Sequence, residues 1–205
     1  MVKSGALVLL ISAMLMLSTS CGRTPSPEPA LRTPDEFFPS DVGALWQFAG
    51  WGNEYAPFTR ETTHLSGDRL QIQDQTGGTT LGLVLRVTND EATIVYRIEE
   101  HYSRESLLDR PENTSVTLLK SPLRTGQSWQ TDGSERIVLQ IGLEIVVRAG
   151  LFTDVMQIKV TRPDSDWIMY EYYAPGVGLI RRDNVAGEYV VISELESYAL
   201  EHPTR

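Results

Sequence analysis

The stretch RIVLQIGLEIVVR, residues 136–148, decides the fold class. Its apolar members Ile137, Leu139, Ile141, Leu143, Ile145 and Val147 fall at every second position, with Arg136, Gln140, Glu144 and Arg148 between them. Side chains of an extended backbone alternate between two faces, so this spacing gathers the apolar set on one face. It predicts a strand, or two strands joined near Gly142, with one side buried. A helix would spread the same residues around its axis.

The pattern recurs on both sides of this stretch. Leu81, Leu83, Leu85 and Val87 alternate with Gly82 and Arg86. Ile94, Tyr96 and Ile98 oppose Arg97 and Glu99, and Met156, Ile158 and Val160 oppose Gln157, Lys159 and Thr161. Turn dipeptides punctuate the chain: Gly67-Asp68, Gly77-Gly78, Asn89-Asp90, Asp132-Gly133, Pro163-Asp164 and Pro175-Gly176. Short alternating segments separated by such turns belong to an antiparallel sandwich or barrel. Polar residues on the alternate face exclude a parallel sheet covered by helices on both sides. The expected fold is all-β and antiparallel, a sandwich or a curled half-barrel sheet, with at most one short helix. The one helix candidate is SRESLLDR, residues 103–110, stopped by Pro111.

One device occurs twice. Pro39, Gly43, Trp46 and Gln47 stand at the same spacing as Pro122, Gly126, Trp129 and Gln130. Physically this is a proline-set turn, a glycine where the backbone bends, then a strand whose tryptophan points inward. It is weak evidence for two similar halves.

The N-terminus carries Lys3, an apolar run over residues 5–17 broken by Ser12, then Ser18, Thr19, Ser20 and the chain's single cysteine, Cys21. Charge, short apolar core and small polar exit are the layout of a secretory signal. The run is shorter than the ~20 residues a bilayer span needs. This exit resembles a bacterial lipobox, with Leu17 as the aliphatic residue and Ser18 where the pattern usually carries one. The resemblance implies a diacylglyceryl thioether on Cys21. Several acyl chains, each gaining about 0.8 kcal/mol per buried CH₂, give a stable anchor. Residues 22–36, GRTPSPEPALRTPDE, carry Pro25, Pro27, Pro29 and Pro34 and almost nothing to bury. They read as an extended spacer reaching about 45 Å. The organisation is therefore a signal peptide over 1–20, a lipidated cysteine and tether over 21–36, one β domain over 37–200 and a tail over 201–205.

The formal charge of −9 excludes a nucleic-acid surface and disfavours lying flat on anionic lipid. With one cysteine, the domain has no disulfide and must be held by packing.

Five pieces together resemble a group of uncharacterised bacterial envelope lipoproteins. They are Phe38-Pro39 leading to Gly43 and Trp46; residues 52–55, GNEY; residues 118–120, LLK, with Pro122, Gly126 and Trp129; residues 149–155, AGLFTDV; and residues 172–179, YYAPGVGL. The resemblance implies a β domain behind a lipobox and supplies no catalytic residues.

The search for chemistry returns little. His64, His101 and His202 lack partners at ligand spacing, and His64 and His101 read as strand-face residues. No G-x-S-x-G elbow and no glycine-rich phosphate loop is present. Asp164-Ser165-Asp166 after Pro163 reads as a turn, not half a calcium loop. No metal site and no cofactor are expected. The aromatics are the better lead. Trp51, Tyr55, Tyr170 and Tyr172, with Arg181 on the neighbouring strand, are the expected rim of a ligand mouth if the sheet curls. The functional expectation is an extracytoplasmic lipoprotein, anchored to the outer membrane if one is present, whose non-catalytic domain binds or scaffolds an envelope protein. Two alternatives stand: a carrier of a small apolar ligand inside a curled sheet, and an envelope enzyme.

Overall fold

The computed structural model describes residues 31–200. Residues 1–30, including Cys21, and the tail 201–205 lie outside them. Twelve strands follow in chain order: β1 (Leu45–Trp51), β2 (Phe58–Ser66), β3 (Arg69–Thr76), β4 (Thr80–Val87), β5 (Glu91–Ile98) and β6 (Val116–Lys120), then β7 (Ser128–Thr131), β8 (Ser134–Val147), β9 (Gly150–Thr161), β10 (Ile168–Ala174), β11 (Gly178–Ala186) and β12 (Tyr189–Ala199). The helix content of the described residues is one 3-10 turn, Pro34–Phe37. No described helix is long and apolar enough to cross a membrane.

The strands form one antiparallel sheet, ordered β6-β5-β4-β3-β2-β1-β12-β11-β10-β9-β8-β7. The sheet curls into a nearly closed barrel, which selects the curled-sheet expectation over the sandwich. All six predicted turns separate strands. At Pro175-Gly176, glycine takes φ +70° and Val177 N–H donates to the Ala174 carbonyl, as a turn with proline first and glycine second requires.

The repeated device opens each six-strand half. Gly43 and Gly126 both take positive φ. Ala44 N–H donates to the Asp41 carbonyl, and Gln127 N–H donates to that of Arg124, both at 3.0 Å. Gly43 N–H donates across to Thr62 as Gly126 N–H donates across to Val138. Both indoles are buried and donate to a carbonyl: Trp46 to Val177 at 2.8 Å and Trp129 to Thr117 at 2.9 Å.

The halves meet at two junctions. Between β1 and β12 there is an ordinary ladder. Between β6 and β7, side chains stand in for one. Thr117 N–H donates to Thr131 Oγ1 at 2.8 Å, and that hydroxyl donates to the Ser115 carbonyl at 3.3 Å. Trp129 reaches the Thr117 carbonyl, and Arg136 Nε donates to the Leu118 carbonyl at 3.0 Å. Thr117 N–H and the carbonyls of Thr117 and Leu118 on the edge of β6 are thus satisfied without a partner strand.

Three expectations change. Residues 136–147 lie in one strand, but not with one unbroken alternation. The register shifts between Val138 and Gln140, and the extra residue reverses the parity. Ser134, Arg136 and Val138 are buried before the shift, while Ile141, Leu143 and Ile145 pack on the core after it. Arg136, expected on the wet face, is therefore inside. Residues 103–110 form no helix. Gln71 accepts from Leu107 N–H and donates to the Glu105 carbonyl, and Gln73 donates to the carbonyls of His101 and Ser103. Side chains of β3 thus engage backbone groups a helix would pair internally, while Leu107 and Leu108 pack on Val84 and Val95. Finally, the fold starts before residue 37. Pro34 and Phe37 are buried, Thr33 and Glu36 form a capping box, and Arg32 bonds Asp154 at 2.6 Å. The compact unit begins at Leu31, six residues before the expected start of the β domain.

Candidate functional site

One core cluster draws buried residues from the 3-10 turn and ten of the strands, which identifies the barrel interior. One end is filled. Phe37, Phe38 and Pro39 pack against Trp46, Phe48, Leu70, Ile72 and Leu179, leaving about 20 Å³. Glycine is required beside this plug: Gly178 takes φ +95°, and a Cβ there would lie 3.1 Å from the Phe37 carbonyl oxygen.

The other end is hollow. A cavity of about 450 Å³ lies among β6 to β11, within the range of small-molecule sites. Val116, Leu118, Thr131, Ser134, Arg136, Val160, Met169, Glu171 and Asn184 line it; Asp132, Arg162, Ser165 and Trp167 stand at its mouth. Antiparallel alternation places the β7–β8 and β9–β10 turns at this end. It places the β10–β11 turn, whose Gly176 N–H donates to the Glu36 carbonyl, at the plugged end. Trp167 is 43% exposed and meets Tyr189 edge-on at 5.7 Å. Arg162 Nε donates to Ser134 Oγ at 2.9 Å and its guanidinium faces Asp132 at 3.6 Å.

Charge is concentrated at the cavity floor. Arg136 is 3% exposed and Glu171 5%. Arg136 NH2 donates to Glu171 Oε2, and Tyr173 O–H donates to the same oxygen at 2.9 Å. Burial raises the Glu171 carboxyl, but Arg136, Arg182 and these bonds outweigh it, so it stays below the ordinary carboxylate range and is ionised at neutral pH. Burial pushes the Tyr173 phenol up, and neighbouring Glu171 adds to this, so it remains a neutral donor. A second buried pair lies deeper: Arg60 Nε and NH2 donate to the two oxygens of Asp74, both at 2.7 Å. Burial lowers the Arg60 pKa and Asp74 more than reverses it.

The expected rim is not assembled around this mouth, and none of its five members lines the cavity. Glu171 and Tyr173 take the inward positions of β10, so Tyr170 and Tyr172 point outward. Arg181 lies opposite Tyr172 on that outer face, bonded to Asp183 at 2.8 Å and 3.9 Å from Glu194. Gln157 Nε2 donates to the Tyr172 hydroxyl at 2.9 Å. Trp51 carries the Arg148 guanidinium over its ring at 4.6 Å, and Arg148 N–H donates to Glu194. Trp51 and Arg181 therefore help pin the tip of the β8–β9 hairpin to β12, where Ala149 N–H also donates to the Leu195 carbonyl. Tyr55 is exposed, with Gly78 beside its ring. His64 lies on β2, whereas His101 is buried in the β5–β6 connection against Gly82. No group of three or more His, Cys, Asp or Glu side chains gathers as a metal site among the described residues.

The residues that do line the site were passed over in the sequence. Glu171 carries one usable signal, being the lone charge in the strand IMYEYYA. Arg136 carries none, because a bulge sets its face.

No protein-family model matches the chain, and no curated protein matches it. Two solved structures are similar to it. One is a presumed exported protein with a YmcC-like fold from Bacteroides fragilis, at 15% identity and TM-score 0.48, over 80% of this chain and 98% of that one. The other is a presumed lipoprotein from Parabacteroides distasonis, at 16% identity and TM-score 0.46, over 82% of this chain and 99% of that one.

Proposed function

We propose that this chain is an extracytoplasmic lipoprotein, acylated on Cys21, whose barrel is a non-catalytic binding module. The observation that carries the reading is the half-filled lumen, packed at the end where the chain enters and open over about 450 Å³ at the other.

The chemistry of the lining favours holding over transforming. Nucleophilic catalysis wants a hydroxyl or thiol beside a base. Here the Thr131 hydroxyl is spent on the seam, Ser134 Oγ accepts from Arg162, and Ser165 Oγ accepts from Trp167 N–H. Glu171 is clamped as a carboxylate by Arg136 and Tyr173. The carrier reading is favoured by the cavity's apolar wall of Val116, Leu118, Val160 and Met169.

The anchor is tested by labelling cells that express the full chain with a radioactive fatty acid. The unchanged chain is expected to take up label and sediment with membranes, and Cys21→Ser to do neither. Label on Cys21→Ser would overturn the lipidation reading.

A further inference from the structure

The charges inside the barrel do not cancel. Arg60 is matched by Asp74 and Arg136 by Glu171. Arg182 is the third interior guanidinium. It lies directly across the ladder from Glu171 and so shares its inward face. The side chain is half-buried, its Nε is buried with no hydrogen-bond partner, and the carboxylate it faces, Glu171, is already bonded to Arg136 and Tyr173. Its guanidinium sits 5.3 Å from the Phe58 ring centre, and Arg60 lies 5.8 Å from the same ring. Phe58 in turn stacks on Phe48 at 4.2 Å. Two cations thus share one aromatic ring, and of the two Arg60 is the one hydrogen-bonded to a carboxylate of its own. A buried N–H left without an acceptor is costly unless something completes it.

The cavity ends beside this surplus. Glu171 is its floor, and Arg182 is one strand spacing away, about 5 Å. The other charged lining is balanced, since Arg162 faces Asp132. Above the floor the wall is apolar at Leu118, Val160 and Met169, with Trp167 at the mouth. Resting on the reading of the lumen as a binding site, we propose that it takes an amphiphile with a single carboxylate. The carboxylate docks against Arg182, between the two guanidiniums that flank Glu171. The apolar body lies along Leu118, Val160 and Met169 toward Trp167.

The test uses the processed chain, residues 21–205, carrying Cys21→Ser so that no acyl chain of its own competes. Decanoate, decanol and decylammonium share a ten-carbon chain, carry a negative, a neutral and a positive head, and are titrated by calorimetry. Decanoate is expected to bind tightest. Arg182→Met is expected to weaken decanoate by about 10- to 100-fold, the worth of a hydrogen-bonded charge, and to leave decanol unchanged. Arg182→Met removes a cation that helps hold Glu171 ionised, while Arg136 and Tyr173 still bond that carboxylate, so the variant is expected to fold and to show a cooperative melt in the absence of ligand. If it does not fold, the comparison of the three probes on the unchanged protein decides alone. Equal binding of decanol and decanoate, or an Arg182→Met protein with undiminished decanoate affinity, would overturn the carboxylate assignment only. Failure of all three probes would overturn the lumen as a site for small amphiphiles altogether.

Discussion

Arg136 is where the fold and the cavity depend on one side chain, so Arg136→Met tests both. The guanidinium makes two kinds of contact. It neutralises Glu171 at the cavity floor, and through Nε it ties the Leu118 carbonyl across the β6–β7 seam. Methionine keeps most of the apolar stem and removes both. Breaking a buried ion pair from one side costs about 3–5 kcal/mol, because the other charge stays buried. The lost seam bond adds about 1 kcal/mol. Arg182 lies opposite Glu171 and offsets part of the exposed charge, so the expected loss is about 4 kcal/mol. Domains of this kind have about 5–15 kcal/mol in hand, so the variant should fold but unfold at much lower urea. Removing both charges separates the pair from the seam. Arg136→Met with Glu171→Leu leaves no buried charge in the pair, and should return to within about 2 kcal/mol of the unchanged protein. The assay is urea unfolding of all four proteins, followed by tryptophan fluorescence and analysed as a double-mutant cycle. A loss below about 1 kcal/mol in Arg136→Met, or a double variant as weak as the two singles summed, would refute the buried pair.

Three further outcomes follow from named contacts. Gly50→Ala should cost about 3 kcal/mol or more in urea unfolding, since its Cβ would fall 2.1 Å from Pro57 N and 2.3 Å from Ala56 C, backbone atoms that no side-chain rotation clears. Trp129→Phe should cost about 1–2 kcal/mol and speed amide exchange at Thr117, whereas Trp46→Phe should lose as much stability and leave Thr117 protected, because of the two indoles Trp129 is the one bonded across the seam. Glu171 has its carboxyl held low in the folded state, so its contribution is fully present above the ordinary value of 4.5 and is lost as pH falls through the folded-state value. Melting temperature measured from pH 7 down to pH 3 should therefore fall more steeply in the unchanged protein than in Glu171→Gln.

How much of this was legible in the sequence depends on the range of the interaction concerned. Turns are local: Asp132-Gly133 and Pro175-Gly176 have few backbone options, and each ends a strand where predicted. Alternation is also local, and it identified β4, β5, β8 and β9. Parity is not local once a strand bulges. The shift after Val138 buries Arg136, and the shift between Tyr172 and Tyr173 sits beside Glu171 and its partner Arg182. The choice between Arg181 and Arg182 as the interior cation turned on which face of β11 is inside, and two adjacent arginines give no sign of it. The same holds for residues 103–110. Their composition suits a helix, but Gln71 and Gln73, some thirty residues earlier, bind their backbone instead. Propensity is a weak prior when tertiary contacts compete for the same amide groups.

The repeated device explains why the hollow lies where it does. Each half opens with the same proline, glycine and tryptophan arrangement, so β1 and β7 are equivalent starts and the two junctions between halves are equivalent positions. They are filled differently. At the first, β1 meets the long β12, and seven registered pairs zip the wall. At the second, β6 and β7 span five and four residues and share no ladder, so the junction is left to Thr131, Trp129 and Arg136. A short wall buries fewer inward side chains, so the lumen behind it is not filled, and the cavity runs from β6 to β11 along that junction. The seam that weakens the barrel and the space that could receive a ligand are thus one feature, and Arg136 belongs to both.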